Sequence, residues 1–260
     1  MQKFTSRILS VYEKNQLLKY SLKEAELLTK GELPVEYFTG FVNFKNLDLK
    51  VNQNVLIPRV ETEELVDLLI NFAISVDESF SYLEVGTGSG AISAAFFDFL
   101  LKTKKIQFEE LMITDVSNEA LNLAKENFTS LFGASALSKI RFLKNDLLDN
   151  FPKKRFNMIV ANLPYIPSSK IETLDPSVKD HEPLLALDGG ETGFELINKM
   201  LEQILNQDLL VEDGKIFLEV YETHNLRFIE KRFRKIYENF SILEIKDQFE
   251  RQRFLILQKI

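Results

Sequence analysis

The run Asn162-Leu163-Pro164-Tyr165 sets an amide, a proline and an aromatic ring directly behind the apolar stretch Met158-Ile159-Val160-Ala161. A plain turn is one reading, since Asn bonds its own backbone and Pro fixes φ. The other reading is chemical. A planar amino or amide nitrogen is a poor nucleophile because its lone pair is delocalised, and the Asn162 side-chain carbonyl with the Leu163 main-chain carbonyl could accept its hydrogens. Holding them fixes the nitrogen's orientation toward an electrophile, and the acceptors stabilise positive charge as it develops. Tyr165 could stack on the planar group, while Pro164 biases Leu163 toward an extended backbone that aims its carbonyl outward.

A second chemical stretch is YLEVGTGSGAIS. Gly86, Gly88 and Gly90, with Thr87 and Ser89 between them, allow a sharp turn and close approach to a ligand, and a helix starting near Gly90 points free N–H groups at it. The spacing is GxGxG rather than the GxGxxG of dinucleotide folds, and Glu84 precedes it, where a carboxylate suits a cationic or hydroxyl-rich ligand better than a pyrophosphate. Asp115 follows the next apolar run and is placed to accept from ribose hydroxyls. Its other role, a helix cap, is already filled by Ser117 or Asn118. Asp146 could accept from an adenine amino group with Leu147 packing on the base, although a solvated loop acid is an equal reading. A ligand with a ribose and a purine is therefore expected, and the simplest electrophile beside an adenosine is the methyl sulfonium of S-adenosylmethionine.

These residues need elements to bring them together. Strands are expected at Tyr82 to Val85, Leu111 to Asp115, Ile140 to Lys144, Asn157 to Ala161 and Lys215 to Val220, with helices at about 90–101, 118–131, 192–210 and 225–237. Such alternation implies an α/β fold with a parallel sheet and right-handed crossovers. Phe240 to Ile245 and Arg253 to Gln258 leave no room for a crossover helix, so they form an antiparallel pair at the sheet edge. Ligands of open parallel sheets lie beyond the carboxyl ends of the strands, where all the residues above fall. Ahead of the sheet, Leu17, Leu18, Leu22, Ala25 and Leu28 suggest two short amphipathic helices stopping at Gly31. Phe41 to Val55 alternates around Lys45-Asn46, which suggests a hairpin.

The chain has 260 residues, 45% of them hydrophobic, enough for one large domain with an appendage. No apolar segment approaches the roughly 18 residues of a membrane span, and the first residues lack a signal peptide's apolar core. With no Cys and only two separated His, there is no disulfide framework and no evident zinc site. The expected compartment is the cytoplasm. A net charge of -7 gives no footprint for stable nucleic-acid binding. His181 and His224 read as ordinary surface or loop residues, and Arg59, Glu61 and Glu63 as a helix start.

Taken together, NLPYI resembles the NPPY motif of methyltransferases acting on planar nitrogens. Several segments are similar to the HemK-type glutamine N5-methyltransferases of peptide chain release factors: LPVEYFTGFVNF, VLIPRVETEELV, LEVGTGSGAIS, DVSNEAL and DHEPLLALDGGETGFELI. The resemblance spans roughly residues 33 to 260. It implies a seven-stranded class I S-adenosylmethionine-dependent methyltransferase fold, S-adenosylmethionine as methyl donor and the GGQ glutamine of a release factor as acceptor. Carried over, Gly86 to Gly90 would hold the methionine part, Asp115 the ribose, Asp146 and Leu147 the adenine side, and Asn162 to Tyr165 the glutamine, with Glu84 and Asn162 also beside the cofactor. Residues 1–36 would be a short helical appendage that helps grip the release factor, 37–60 a linking hairpin and 61–260 the methyltransferase domain. Leu163 replaces the family's first proline, Leu147 stands where many members carry an aromatic, and the appendage is shorter than usual. Adenine N6-methyltransferases share the NLPY form, and ribosomal-protein glutamine methyltransferases share the core motifs. The acidic charge and the Glu182-Pro183 to Gly189-Gly190 segment favour the release-factor reading over the adenine one.

Overall fold

The structure, a computed structural model, describes residues 7–76, 79–103 and 107–260. Nine strands are defined among them: β1 (Phe41–Phe44), β2 (Leu47–Lys50), β3 (Phe80–Val85), β4 (Phe108–Asp115), β5 (Ile140–Lys144), β6 (Phe156–Ala161), β7 (Leu210–Glu219), β8 (Phe240–Lys246) and β9 (Gln252–Lys259). Seven of them form one sheet in the order β5-β4-β3-β6-β7-β9-β8. The first five in that order run parallel, while β9 is antiparallel to both β7 and β8. The chain starts in the middle at β3, moves outward through β4 and β5, then returns to the other side as β6. That reversal leaves a crevice between β3 and β6 at their carboxyl ends.

Register places the chemistry. Val85 pairs with Thr114 on one side and with Ala161 on the other. The next residue on each strand is therefore Gly86, Asp115 and Asn162, and the three emerge side by side at one end of the sheet.

β3 and β6 are buried on both faces and so read as mainly apolar runs, interrupted by Ser81 and Glu84 in β3 and by Asn157 in β6. Along them the side chains alternate between two cores. Tyr82, Met158, Val160 and Phe217 join Leu65, Leu69 and Phe96 from the helices Thr62–Ser75 and Ala91–Lys102 on one face. Leu83, Val85, Ile159 and Leu218 meet Ile197, Met200 and Phe194 around the helix Glu195–Gln207 on the other.

The expected hairpin forms as β1 and β2, turning at Lys45 and Asn46, both left-handed with φ 48° and 63°. Val42, Phe44, Leu49 and Val55 belong to the same core as the main sheet's first face. The N-terminal helices Val11–Lys19 and Glu24–Leu28 bury Leu17 and Leu27 in a small cluster of their own with Leu9 and Val35. A third short helix, Val35–Thr39, ends at Gly40 with φ 79°, where the sequence reading had no helix.

Several boundaries differ from expectation, among them the helix expected at 192–210, which spans Glu195–Gln207. β7 begins at Leu210 rather than Lys215, because Leu210 pairs with Phe156 before a register shift. The helix expected at 225–237 is broken into Leu226–Arg232 and Arg234–Asn239 at Phe233, whose ring packs 4.9 Å from that of Phe194. Within the terminal pair, β9 is inserted beside β7 and only β8 is the edge. No helix among the described residues is long and apolar enough to cross a membrane.

Candidate active site

The glycine turn after β3 is shaped by what lies beneath and beside it. Gly86, Gly88 and Gly90 all take positive φ, 77°, 55° and 84°. A Cβ on Gly86 would stand 2.8 Å from Leu163 Cδ2, and one on Gly90 3.1 Å from Ala124 Cβ. Gly90 thus lets the helix Ala91–Lys102 pack closely on its neighbour, and its role is packing rather than lining.

Under the turn Glu84 is fully buried. Its Oε2 accepts from Thr87 Oγ1 at 2.9 Å and from Ser93 Oγ, while Oε1 has no partner. Burial pushes the Glu84 carboxyl up to about 7, opposed by those hydroxyls and reinforced by Asp115. Asp115 holds the turn from the side: Oδ2 accepts from Gly88 N and Oδ1 from Ser117 N, both at 2.9 Å. Ser117 caps the following helix, accepting from Ala120 N, so Asp115 is spared that task.

A cleft opens over this turn. Gly86, Thr87, Gly88, Ser89, Asp115, Asn162 and Pro164 line it, and so do residues the sequence reading did not single out: Asn54, Val55, Leu56, Pro58 and Thr62 on one side, Pro183, Leu185 and Ala186 on another. Asp146 and Leu147 are not in its lining. Asp146 is exposed and pairs with Lys199 at 3.3 Å, and Leu147, at φ 49°, turns into the second core. Leu163 is likewise buried, 4% exposed, and packs toward Gly86 rather than into the cleft.

A second pocket lies behind Asn162, lined by Leu56, Arg59, Asn162, Leu163, Tyr165, Leu174, Val178 and Leu187 among others. Asn162 is in the wall common to both. Its Nδ2 donates to Thr62 Oγ1 at 3.2 Å; Thr62 Oγ1 donates to Glu219 Oε2 at 2.7 Å; Tyr165 OH donates to Glu219 Oε1 at 2.9 Å. Glu219 ends β7 and is 1% exposed. Burial raises its pKa, against the pull of Thr62, Tyr165 and Arg253. Tyr165 is held well above the usual phenol range by burial and by Glu219. The available signal for Glu219 was a charged residue inside the apolar run IFLEV, and for Thr62 a hydroxyl at a helix start.

The DHEPLLALDGG segment is a strap sewn to the Asn162–Tyr165 turn. Ile166 N donates to Leu187 O at 3.1 Å, Gly189 N to Ile166 O at 2.9 Å and Ser168 N to Gly190 O at 2.8 Å. A Cβ on Gly189 would lie 2.6 Å from Pro164 O, and one on Gly193 2.2 Å from Tyr165 O. Backbone meets backbone here, which only glycine permits. Arg59 pairs with Glu182 at the start of the strap, while Glu63 accepts from Lys45 N in the hairpin turn and Glu61 pairs with Arg251. His224 does lie in a loop, yet it is fully buried, bridging Tyr221 N and Thr192 O among aromatic rings.

The methyltransferase small domain family matches residues 66–175. A release factor glutamine methyltransferase of Lactococcus lactis subsp. lactis is 35% identical over 206 residues, covering 79% of this chain and 70% of that protein. One of Leptospira interrogans is 34% identical over 247 residues, covering 94% and 82%. Among solved structures, the ribosomal protein L11 methylase of Lactobacillus delbrueckii subsp. bulgaricus superposes with a TM-score of 0.51 at 21% identity, over 77% of this chain and 80% of that one, a likeness of fold. The sheet order and these matches make the fold that of the class I methyltransferases. With more than four fifths of the Leptospira protein matched at this identity, the chain belongs to the release factor glutamine methyltransferase family.

Proposed function

We propose that the chain methylates the side-chain amide nitrogen of a glutamine in a peptide chain release factor, using S-adenosylmethionine. The observation that carries this reading is the position of Asn162 in the wall between two cavities. One cavity has the glycine turn and a ribose-competent carboxylate; the other is a largely apolar pocket beside Tyr165, suited to the stem and planar head of a glutamine.

The residues fit such a donor. Gly86 and Gly88 bring bare backbone to the cleft, the helix Ala91–Lys102 points its first N–H groups there, and each Asp115 oxygen, already accepting one backbone hydrogen, has a lone pair left for a hydroxyl. When bound, S-adenosylmethionine supplies an electrophilic methyl carbon on a sulfonium. The chain's own part is orientation. Asn162 Oδ1 and the Leu163 carbonyl would accept the two hydrogens of the glutamine amide, aim the nitrogen along the line of attack and stabilise the positive charge that grows on it. No general base is needed for attack, because the nitrogen becomes acidic only as the bond forms and can then lose its proton to water.

The test is mass spectrometry of purified release factor after incubation with the protein and isotopically labelled methyl donor. One labelled methyl on the GGQ glutamine is expected. Label on a ribosomal protein or on adenine, with none on the release factor, would overturn the assignment.

A further inference from the structure

The two ends of an Asn side chain are nearly the same size, so packing alone does not choose between them; only hydrogen bonds do. For Asn162 the choice decides whether an acceptor or a donor faces the reacting nitrogen. Glu219 makes that choice from two residues away. An ionised carboxylate has no hydrogen to give, so Thr62 Oγ1, 2.7 Å from Glu219 Oε2, must donate to it. The Thr62 oxygen then has only lone pairs left for Asn162, 3.2 Å away, and the amide turns its NH2 group toward them. Asn162 Oδ1 is left facing the cavities. Tyr165 OH, donating to Glu219 Oε1, occupies the second oxygen and closes the chain at its other end.

We propose that Glu219 and Thr62 are positioning residues that set the direction of the Asn162 amide, so that its carbonyl and not its NH2 meets the substrate nitrogen. The inference rests on the amide-methylation reading above. Glu219 is 1% exposed, its hydrogen-bond donors are the hydroxyls of Thr62 and Tyr165, and no Lys, Arg or His nitrogen among the described residues forms an ion pair with it. An unpaired buried carboxylate is a cost to folding, so a role in the site is the better account of it. The device also has a sense of direction. A protonated Glu219 would donate to Thr62, Thr62 would donate to Asn162 Oδ1, and the amide would be reversed. Arg253 on β9 favours the ionised form, and Glu61 and the burial oppose it.

The experiment is a double-mutant cycle read in two ways on the full chain. Thr62→Val removes the hydroxyl at nearly constant volume, and Thr62→Ser keeps it. Single-turnover methyl transfer to the release factor, at saturating donor, should fall about 10- to 100-fold in Thr62→Val and stay within about threefold in Thr62→Ser. In an Asn162→Ala background, Thr62→Val should cost less than about a further twofold, because nothing remains to be oriented. The same fractional loss in both backgrounds would overturn the relay and leave Thr62 a structural residue. Nuclear magnetic resonance of the Asn162 side-chain NH2, assigned by its disappearance in Asn162→Ala, gives a readout that needs no substrate. It should shift in Thr62→Val and hold in Thr62→Ser; an unmoved signal in Thr62→Val would likewise overturn the proposal. If the wild-type chain transfers no methyl to the release factor, the functional reading fails, and the amide resonances alone decide the relay.

Discussion

Arg59 Nη2 stands 2.5 Å from Glu182 Oε1, joining the loop before the helix Thr62–Ser75 to the strap behind the Asn162 turn, 123 residues further on. Glu182 also accepts from Ile57 N at 3.3 Å, and its side chain is 1% exposed against 33% for Arg59. Both loops line the cleft, through Leu56 and Pro58 on one and Pro183 and Ala186 on the other. The pair therefore ties together two loops that line the cleft.

Arg59→Ala should destabilise the fold by about 2–3 kcal/mol, since it strands a buried carboxylate that burial already pushes toward the neutral form. The estimate lies at the low end for buried pairs because a third of Arg59 meets solvent. Urea unfolding of the two proteins measures it, and a difference under about 0.5 kcal/mol would place the pair among ordinary surface contacts.

Asp115→Ala should weaken S-adenosylmethionine binding by about 3–6 kcal/mol, roughly 1.5–3 for each of two hydrogen bonds to a charged acceptor. Part of that loss comes from the turn itself, because Gly88 N and Ser117 N lose their acceptor. Titration calorimetry with S-adenosylmethionine and with adenosine lacking its ribose hydroxyls separates the two contributions. If the deoxy ligand suffers as much from the substitution as the full one, Asp115 holds the turn and not the ribose.

Gly193→Ala should damage the site more than Gly31→Ala, although both positions have positive φ, 85° and 65°. At Gly31 an added methyl meets nothing within 4 Å, so only backbone strain of about 1 kcal/mol is paid. At Gly193 the methyl would sit 2.2 Å from Tyr165 O and must push the Asn162–Tyr165 turn away from the strap. Melting temperature and transfer rate on both variants test this. Equal losses would mean that the strap does not fix the turn.

Stability should fall as pH rises toward neutrality, and Glu84 should be a main cause. Its carboxyl is pushed up to about 7 in the folded chain by burial, against 4.5 for an ordinary glutamate. The folded state therefore binds a proton that the unfolded chain releases. That contribution is complete below about pH 4.5 and disappears as pH rises through about 7, with a slope of at most roughly 1.4 kcal/mol per unit. Denaturant unfolding at several pH values should show the decline in the wild type and a flatter profile in Glu84→Gln. Parallel profiles would assign the pH dependence to other groups.

Much of the molecule was legible in its residues because the relevant physics is local. A parallel strand buried on both faces is mostly apolar, so β3 and β6 could be read from their runs even with Glu84 inside the first. A left-handed turn wants glycine, so the GTGSG turn could be read directly, and the hairpin at Lys45-Asn46 followed from the apolar alternation on either side of it. The five residues between β8 and β9 cannot carry a crossover, so the last two strands had to be antiparallel. Where local rules compete, the reading slipped: Phe233 breaks a helix that periodicity would continue, because its ring is wanted against Phe194.

The amino-acid order alone determined which strands exist and that their carboxyl ends carry Gly86, Asp115 and Asn162. Only the tertiary structure decided the partners. Thr62 and Glu219 are 157 residues apart and meet because one starts a helix on the face of the sheet where the other ends a strand. Asp146 and Leu147 follow β5 in sequence as a base-binding pair would, yet φ 49° at Leu147 carries that side chain into the core and leaves Asp146 with Lys199. Register and chain reversal bring distant side chains within hydrogen-bond reach, and those depend on the packing of whole elements, which no short stretch of sequence contains.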